Sequence, residues 1–398
     1  MKILIAHLGT NWVAMPGGVE KVTCELANAL VDRGHEVTVL YRDGKKGNPY
    51  FPLDNKVKQV NILYKDDKQV IPENLPTRLR IMREVIRLFS QSKAQGINAK
   101  YKGRQYGLAI NQYLNHHTVD VVISCSIPSA KYMIDDGKCQ APVIEMLHAQ
   151  PSVQFPILSD LERAALAKCK ILQLLLPSGV KLAHQYFPDL PVVVIGNAVN
   201  PIMCKANLGA TKKQYKIICV GNISPRKSQH LLVQAFARLA GRYKEWSLEL
   251  WGGAGAPYAR KLKIWIKQHH MDNCIHVNGT TSDIAQVYGN ADIFCLPSRD
   301  EGFPLALVEA MSAGLPVVGF EDGIGVSDLI ENGATGLLSA RSVEALAKTL
   351  EVLITDSKLR ESLGNAGMKS IEKYSPERIY GQWEELLQSV VNGKYDKQ

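Results

Sequence analysis

Residues 292–320 read DIFCLPSRDEGFPLALVEAMSAGLPVVGF. The apolar run at the start predicts a strand over 292–296, which Pro297 ends. A loop then carries Glu301, a helix opens around Pro304, and the run after Gly314 predicts a strand over 316–320. Strand, loop, helix and strand in that order are the unit from which parallel sheets covered by helices are built. Glu309 falls about one and a half turns into the helix. A carboxylate there is placed to accept both hydroxyls of a ribose, with the free N–H groups of the helix start facing phosphate. Glu301, in the loop, is placed to accept hydroxyls from a sugar. Either glutamate alone would be unremarkable; two bracketing a helix start in an apolar segment are not readily explained by packing.

The same rhythm extends outward. Strands are predicted at 216–220, 247–251 and 274–278, which with 292–296 and 316–320 make one sheet. A first series runs 2–7, 35–40, 57–63, 119–125, 143–147, 170–176 and 192–195. Gly18 to Arg33 reads as the clearest intervening helix, ended by Gly34. The stretch Asn197 to Gln214 mixes Pro, Asn, Gly and Lys without a period, and the interdomain linker is placed there. A last helix starts at Ser375-Pro376-Glu377 and continues through Trp383, Leu386 and Leu387. The length of 398 residues suits two α/β domains.

Two further turns lie between a strand and a helix. Pro16-Gly17-Gly18-Val19-Glu20 follows the first strand, and its glycines let backbone N–H groups approach an anion; a plain tight turn would use the same residues. Val220-Gly221-Asn222-Ile223-Ser224-Pro225-Arg226-Lys227 leads into a helix from His230 to Tyr243. Its adjacent cations are placed to clamp a diphosphate, Arg226 by its fork and Lys227 as a point charge. Such a pair is usually only surface; its position at a strand's carboxyl end is what distinguishes it.

In chain order, the Gly-Gly-Val-Glu turn, the glycine-then-lysine turn and the Glu-x7-Glu segment resemble the retaining GT-B glycosyltransferases of family 4. The resemblance covers nearly the whole chain and is strongest over 216–340. It implies two doubly wound, Rossmann-like α/β domains facing across a cleft. These would be 1–200, joined by a crossing helix in 377–398, and a donor-binding domain over 201–376. It implies a donor phosphate at Gly17 and Gly18, the diphosphate at Lys227, the donor sugar at Glu301 and the ribose at Glu309. His148, after strand 143–147, matches a histidine beside the donor sugar. The catalytic set is thus His148, Glu301, Lys227 and Arg226. Gly17, Gly18, Gly221, Asn222, Phe303, Pro304, Leu305 and Glu309 bind the donor.

There are three departures. Asn222 stands where the family usually has Arg, so that cation is missing unless Arg226 substitutes. Ala149 follows the histidine where an acid is frequent, and Pro304 replaces a frequent Gly, losing a backbone donor but making a good first helical residue. The implied chemistry transfers a sugar from a nucleoside diphosphate, UDP by family habit or GDP, to an acceptor hydroxyl with retention. The leaving diphosphate would deprotonate the acceptor on the front face. The donor is a cosubstrate rather than a cofactor, and no metal is called for, since no Asp-x-Asp occurs. A sugar-nucleotide epimerase, a glycosyl phosphorylase or a non-catalytic partner subunit of related fold are the alternatives. A nicotinamide dehydrogenase lacks its glycine fingerprint here.

The formal charge is +9, and residues 78–104 alone hold eight cations against Glu84. Leu79, Met82, Ile86 and Phe89 thread this stretch at helical spacing, predicting one basic amphipathic helix. It would be a solvated face, or would meet an anionic membrane or a lipid-linked or polysaccharide acceptor. Nucleic acid is disfavoured, because no binding module accompanies the charge. No apolar run approaches the length of a span, and residues 2–6 read as a strand rather than a signal peptide, so the expected location is the cytoplasm, with a peripheral place at the inner face of the membrane as the alternative. The eight cysteines form no metal-ligand or redox spacing and read as small buried hydrophobes. His7, His35, His230 and His276 lie in or beside apolar runs and read as packed or capping.

Overall fold

A computed structural model describes residues 1–72, 74–253, 255 and 257–395. The chain forms two compact units, Met1–Asn197 with Glu377–Gln398, and Ala198–Pro376.

The first unit is built on β1 (Lys2–His7), β2 (Glu36–Tyr41), β3 (Lys58–Asn61), a small hairpin of β4 (Tyr64–Lys65) and β5 (Lys68–Gln69), β6 (Val121–Ser124), β7 (Val143–Leu147), β8 (Ile171–Leu174) and β9 (Val192–Val194). Seven of these make one parallel sheet in the order β3-β2-β1-β6-β7-β8-β9. Its central strands are buried on both faces, which is why they read as continuous apolar runs rather than alternations. Helix α1 (Gly18–Asp32) lays Val22, Leu26, Ala29 and Leu30 on the core. It ends where Gly34 takes φ +84° and the His35 N–H returns to Leu30 O, a termination that favours glycine. Helix Pro376–Val391 belongs to this unit, Glu384 pairing with Arg33 at 3.3 Å and buried Trp383 and Leu387 facing the core.

The expected single helix over 78–104 is instead two, α2 (Thr77–Arg87) and α3 (Gln91–His116). Ser90 breaks it: its backbone is extended and its hydroxyl accepts from Lys93 N–H, so it caps a new helix.

The second unit holds β10 (Tyr215–Val220), β11 (Trp246–Trp251), β12 (Ile275–Gly279), β13 (Ile293–Leu296), β14 (Val317–Phe320) and β15 (Leu337–Ser339). All are parallel, in the order β12-β11-β10-β13-β14-β15. Each sheet therefore reverses its strand order once, between β1 and β6 and between β10 and β13. In doubly wound sheets the crevice at the carboxyl ends of those two strands is where ligands bind.

Candidate functional site

In the second unit the reversal brings the loops after β10 and β13 together. The Arg299 N–H donates to Arg226 O at 3.0 Å, joining these two loops, and the Glu301 N–H to Ile324 O at 2.9 Å, tying the loop after β13 to the one after β14. Lys227 Nζ lies 2.5 Å from Glu301 Oε1, with 14% and 7% of the two side chains exposed. Arg226 pairs with Asp300 at 3.2 Å but is 53% exposed. The two cations are thus unequal: one is held against Glu301 inside the crevice, the other lies at its rim.

Gly221 has φ +145°, and a Cβ built there would lie 3.5 Å from Lys227 Nζ, so the lysine lies across the glycine. Asn222 O accepts from Gln229 Nε2 at 3.1 Å, and its side-chain oxygen lies beside Gly253. The helix Leu305–Ser312 follows, with Pro304 as its N-cap rather than its first residue. Its first turn differs from the expected row of free amides. Leu305 N–H donates to Phe303 O, and Leu307 and Val308 N–H both donate to Pro304 O. The tight turn set by proline satisfies these groups internally. The Phe303 ring is buried edge-on to Tyr374 at 5.1 Å, so its contribution to a ligand is confined to its backbone. Glu309 is half-buried and its Oε2 accepts the Tyr288 hydroxyl at 2.9 Å. Tyr288 is fully buried, and burial with the adjacent Glu309 charge pushes its hydroxyl well up, so it stays a donor. The sequence reading missed Tyr288; its sole signal is an aromatic placed just before an apolar strand.

In the first unit a cavity of about 150 Å³ opens at the carboxyl ends of β1, β6 and β7. His7, Thr10, Cys125, Glu145 and His148 line it. His7 is packed as expected, buried against the Trp12 ring at 5.0 Å, and it also meets Glu20 at 3.3 Å and Thr10 Oγ1 at 3.0 Å. Thr10 Oγ1 in turn donates to Glu20 at 2.8 Å. Burial alone would raise the Glu20 carboxyl, but bonds with His7, its own backbone amide and Thr10 outweigh that and lower it. Glu20 leans over the Gly17–Gly18 turn, where a Cβ on Gly17 would lie 1.9 Å from its Oε2. The positive end of α1 already has a carboxylate beside it.

Among the described residues, none is a hydrogen-bond partner of the buried His148 Nε2. Burial, with the His7 ring nearby, holds this histidine down to about 4, so it is neutral at pH 7. Glu145 is fully buried beside Ser124, whose Oγ donates to Ser126 O, and among the described residues neither of its carboxyl oxygens has a hydrogen-bond partner. Desolvation raises that carboxyl well above the usual range. Glu145 was also missed, because a glutamate inside an apolar strand gives no periodic sign of where it faces. Each unit thus gathers its own share of the expected residues, Gly17, Gly18 and His148 in one, Gly221, Asn222, Arg226, Lys227, Glu301 and Phe303 to Glu309 in the other. Among the described residues, no group of three or more His, Cys, Asp or Glu is arranged to hold a metal.

Residues 16–201 match the family model for Glycosyltransferase Family 4, and residues 204–370 that for Glycosyl transferases group 1. An uncharacterized glycosyltransferase of Haemophilus influenzae is 24% identical, over 94% of this chain and 97% of its own. The amylovoran biosynthesis glycosyltransferase AmsD of Erwinia amylovora is 22% identical, with 94% and 97% covered. Among solved structures, Anabaena Alr3699/HepE in complex with UDP and glucose superposes with a TM-score of 0.71 at 18% identity, over 98% of this chain and all of that one. Two successive glycosyltransferase matches on two doubly wound sheets make this chain a GT-B glycosyltransferase, an enzyme of the hexosyltransferase type.

Proposed function

We propose that the enzyme transfers a sugar, with retention, from a nucleoside diphosphate to a hydroxyl of a glycan or lipid-linked acceptor. The observation that carries this reading is the crevice of the second unit, where Lys227, Glu301 and Glu309 stand within two loops and one helix turn. Lys227, with Arg226 at the rim, neutralises the diphosphate as the anomeric C–O bond breaks. Glu301 accepts sugar hydroxyls, and Glu309, oriented by Tyr288, accepts those of the ribose. The acceptor oxygen bonds to the anomeric carbon on the same face, and its proton passes to the leaving phosphate oxygen. This assignment asks no metal to neutralise charge, and the donor is a cosubstrate. In the first unit neutral His148 bonds the sugar, while Gly17 and Gly18, whose turn already faces the Glu20 carboxylate, are given no phosphate. UDP is the preferred nucleoside diphosphate in view of the Anabaena complex, and a polysaccharide the preferred acceptor in view of the amylovoran relative.

Thermal unfolding with a panel of nucleoside diphosphates and their sugars tests this. A ligand at about 100 times its Kd stabilises by about 2.7 kcal/mol. UDP or a UDP-sugar is expected to shift wild type and not Glu309→Ala. If no nucleotide shifts the wild type, the transferase site is misassigned. Product NMR then reads the anomeric configuration, and inversion would remove the front-face route.

A further inference from the structure

Helix α2 buries no residue at all. Leu79, Arg83 and Ile86 form its inner side, half-buried, with Arg83 reaching Asn98 of α3 at 3.1 Å. On its outer side Ile81, Met82 and Val85 are 60%, 43% and 52% exposed, and Leu88 and Phe89, in the turn that follows it, are 81% and 86% exposed. At 3.6 residues per turn the three on the helix share an arc of about 100°, and Arg78 falls within it. Arg80 and Arg87 are exposed on the same helix, and Lys93, Lys100 and Arg104 on α3. A large apolar face held in water beside concentrated positive charge needs a partner that is both apolar and anionic. A second copy would set one such cationic face against another. An anionic bilayer supplies both properties, since its acyl boundary takes the five side chains and its phosphates meet the cations.

We infer that α2 docks this protein on an anionic lipid surface, with Leu88 and Phe89 at the deepest point. The inference rests on this surface and not on the transferase reading. The test is co-sedimentation of the full chain with phosphatidylcholine vesicles, with or without about 30% phosphatidylglycerol, at about 0.1 M salt. Binding is expected with phosphatidylglycerol, at least tenfold weaker without it, and weaker at about 1 M salt. Leu88→Ser/Phe89→Ser, both exposed, is expected to weaken it at least tenfold with an unchanged melting temperature. Arg78→Ser is expected to weaken it about fivefold. The inference is overturned if wild type ignores anionic vesicles or if the Leu88/Phe89 variant binds as wild type does. It is also overturned if wild type proves to be a dimer that this variant dissociates while neither binds vesicles. None of these readouts uses sugar transfer.

Discussion

Lys227 and Glu301 are too shielded for either charge to be comfortable alone, so each is the other's main compensation. Lys227→Met should lower the stability of the free protein by about 3 kcal/mol, because it removes the cation that faces Glu301 in a crevice shielded from solvent. Adding Glu301→Gln should restore most of that loss. Urea denaturation at pH 7 measures it, and additive effects of the two substitutions would show that the pair is not coupled. In the other unit two buried acids and bases pull stability in opposite directions with pH. His148 is held at about 4 against an ordinary 6.5, so the folded chain favours its neutral ring. That contribution is complete above about 6.5 and is lost, up to about 3 kcal/mol, as pH falls towards 4. Glu145 is raised instead, so its contribution is complete below its ordinary 4.5 and is lost as pH rises. Glu145→Gln keeps the shape and removes the titration. Its stability relative to wild type should climb with pH above 4.5, by at most about 1.4 kcal/mol per pH unit. Denaturation curves between pH 5 and 8 check this; a difference that stays constant over that range would mean Glu145 ionises freely in the fold.

At the scale of elements, the crevice of the second unit depends on how closely two loops approach. Gly252, at the end of β11, has φ +143°, and a Cβ there would lie 2.1 Å from Gly221 O. No rearrangement of a flexible side chain relieves a clash with backbone. Gly252→Ala should therefore cost about 2 kcal/mol or more and displace the turn under Lys227, weakening UDP binding. Gly209→Ala, which meets open space, is the control. If Gly252→Ala melts and binds as wild type does, the loop approach is not needed for the site. The central strands were legible in the sequence because parallel strands buried on both faces are uninterrupted apolar runs, whereas β4, β5 and β15, only two or three residues long, left no such run. Lys227, Glu301 and Glu309 could be named because chain position at a strand end already implies the crevice. What stayed hidden depends on contacts between distant residues. The His7–Glu20–Thr10 cluster joins β1, its following loop and α1, and Tyr288 reaches Glu309 across 21 residues. The break at Ser90 was a matter of local competition, in which a capping hydroxyl won over a continuing amphipathic period.

At the scale of the whole molecule, each unit has its own sheet and its own strand-order reversal, so a nucleotide's site can be located by which unit it stabilises. Amides of β10 and β13 are paired inside the second sheet and exchange with solvent only when that unit opens. If UDP binds the folded second unit alone, then at about 100 times its Kd the open population falls about a hundredfold. Hydrogen exchange in 215–220 and 293–296 should slow by that factor where opening is global. The loops 221–229 and 298–304 should gain protection even where exchange is local, because the diphosphate would lie against them. Amides of β1 and β7 slow to the same extent only if the two units open as one cooperative body, and less if they open separately. Slowing confined to 1–197 would place the nucleotide in the first unit and remove the role given to Lys227 and Glu309. Glu309→Ala distinguishes the remaining cases: protection that persists in the variant belongs to a nucleotide held by some other group.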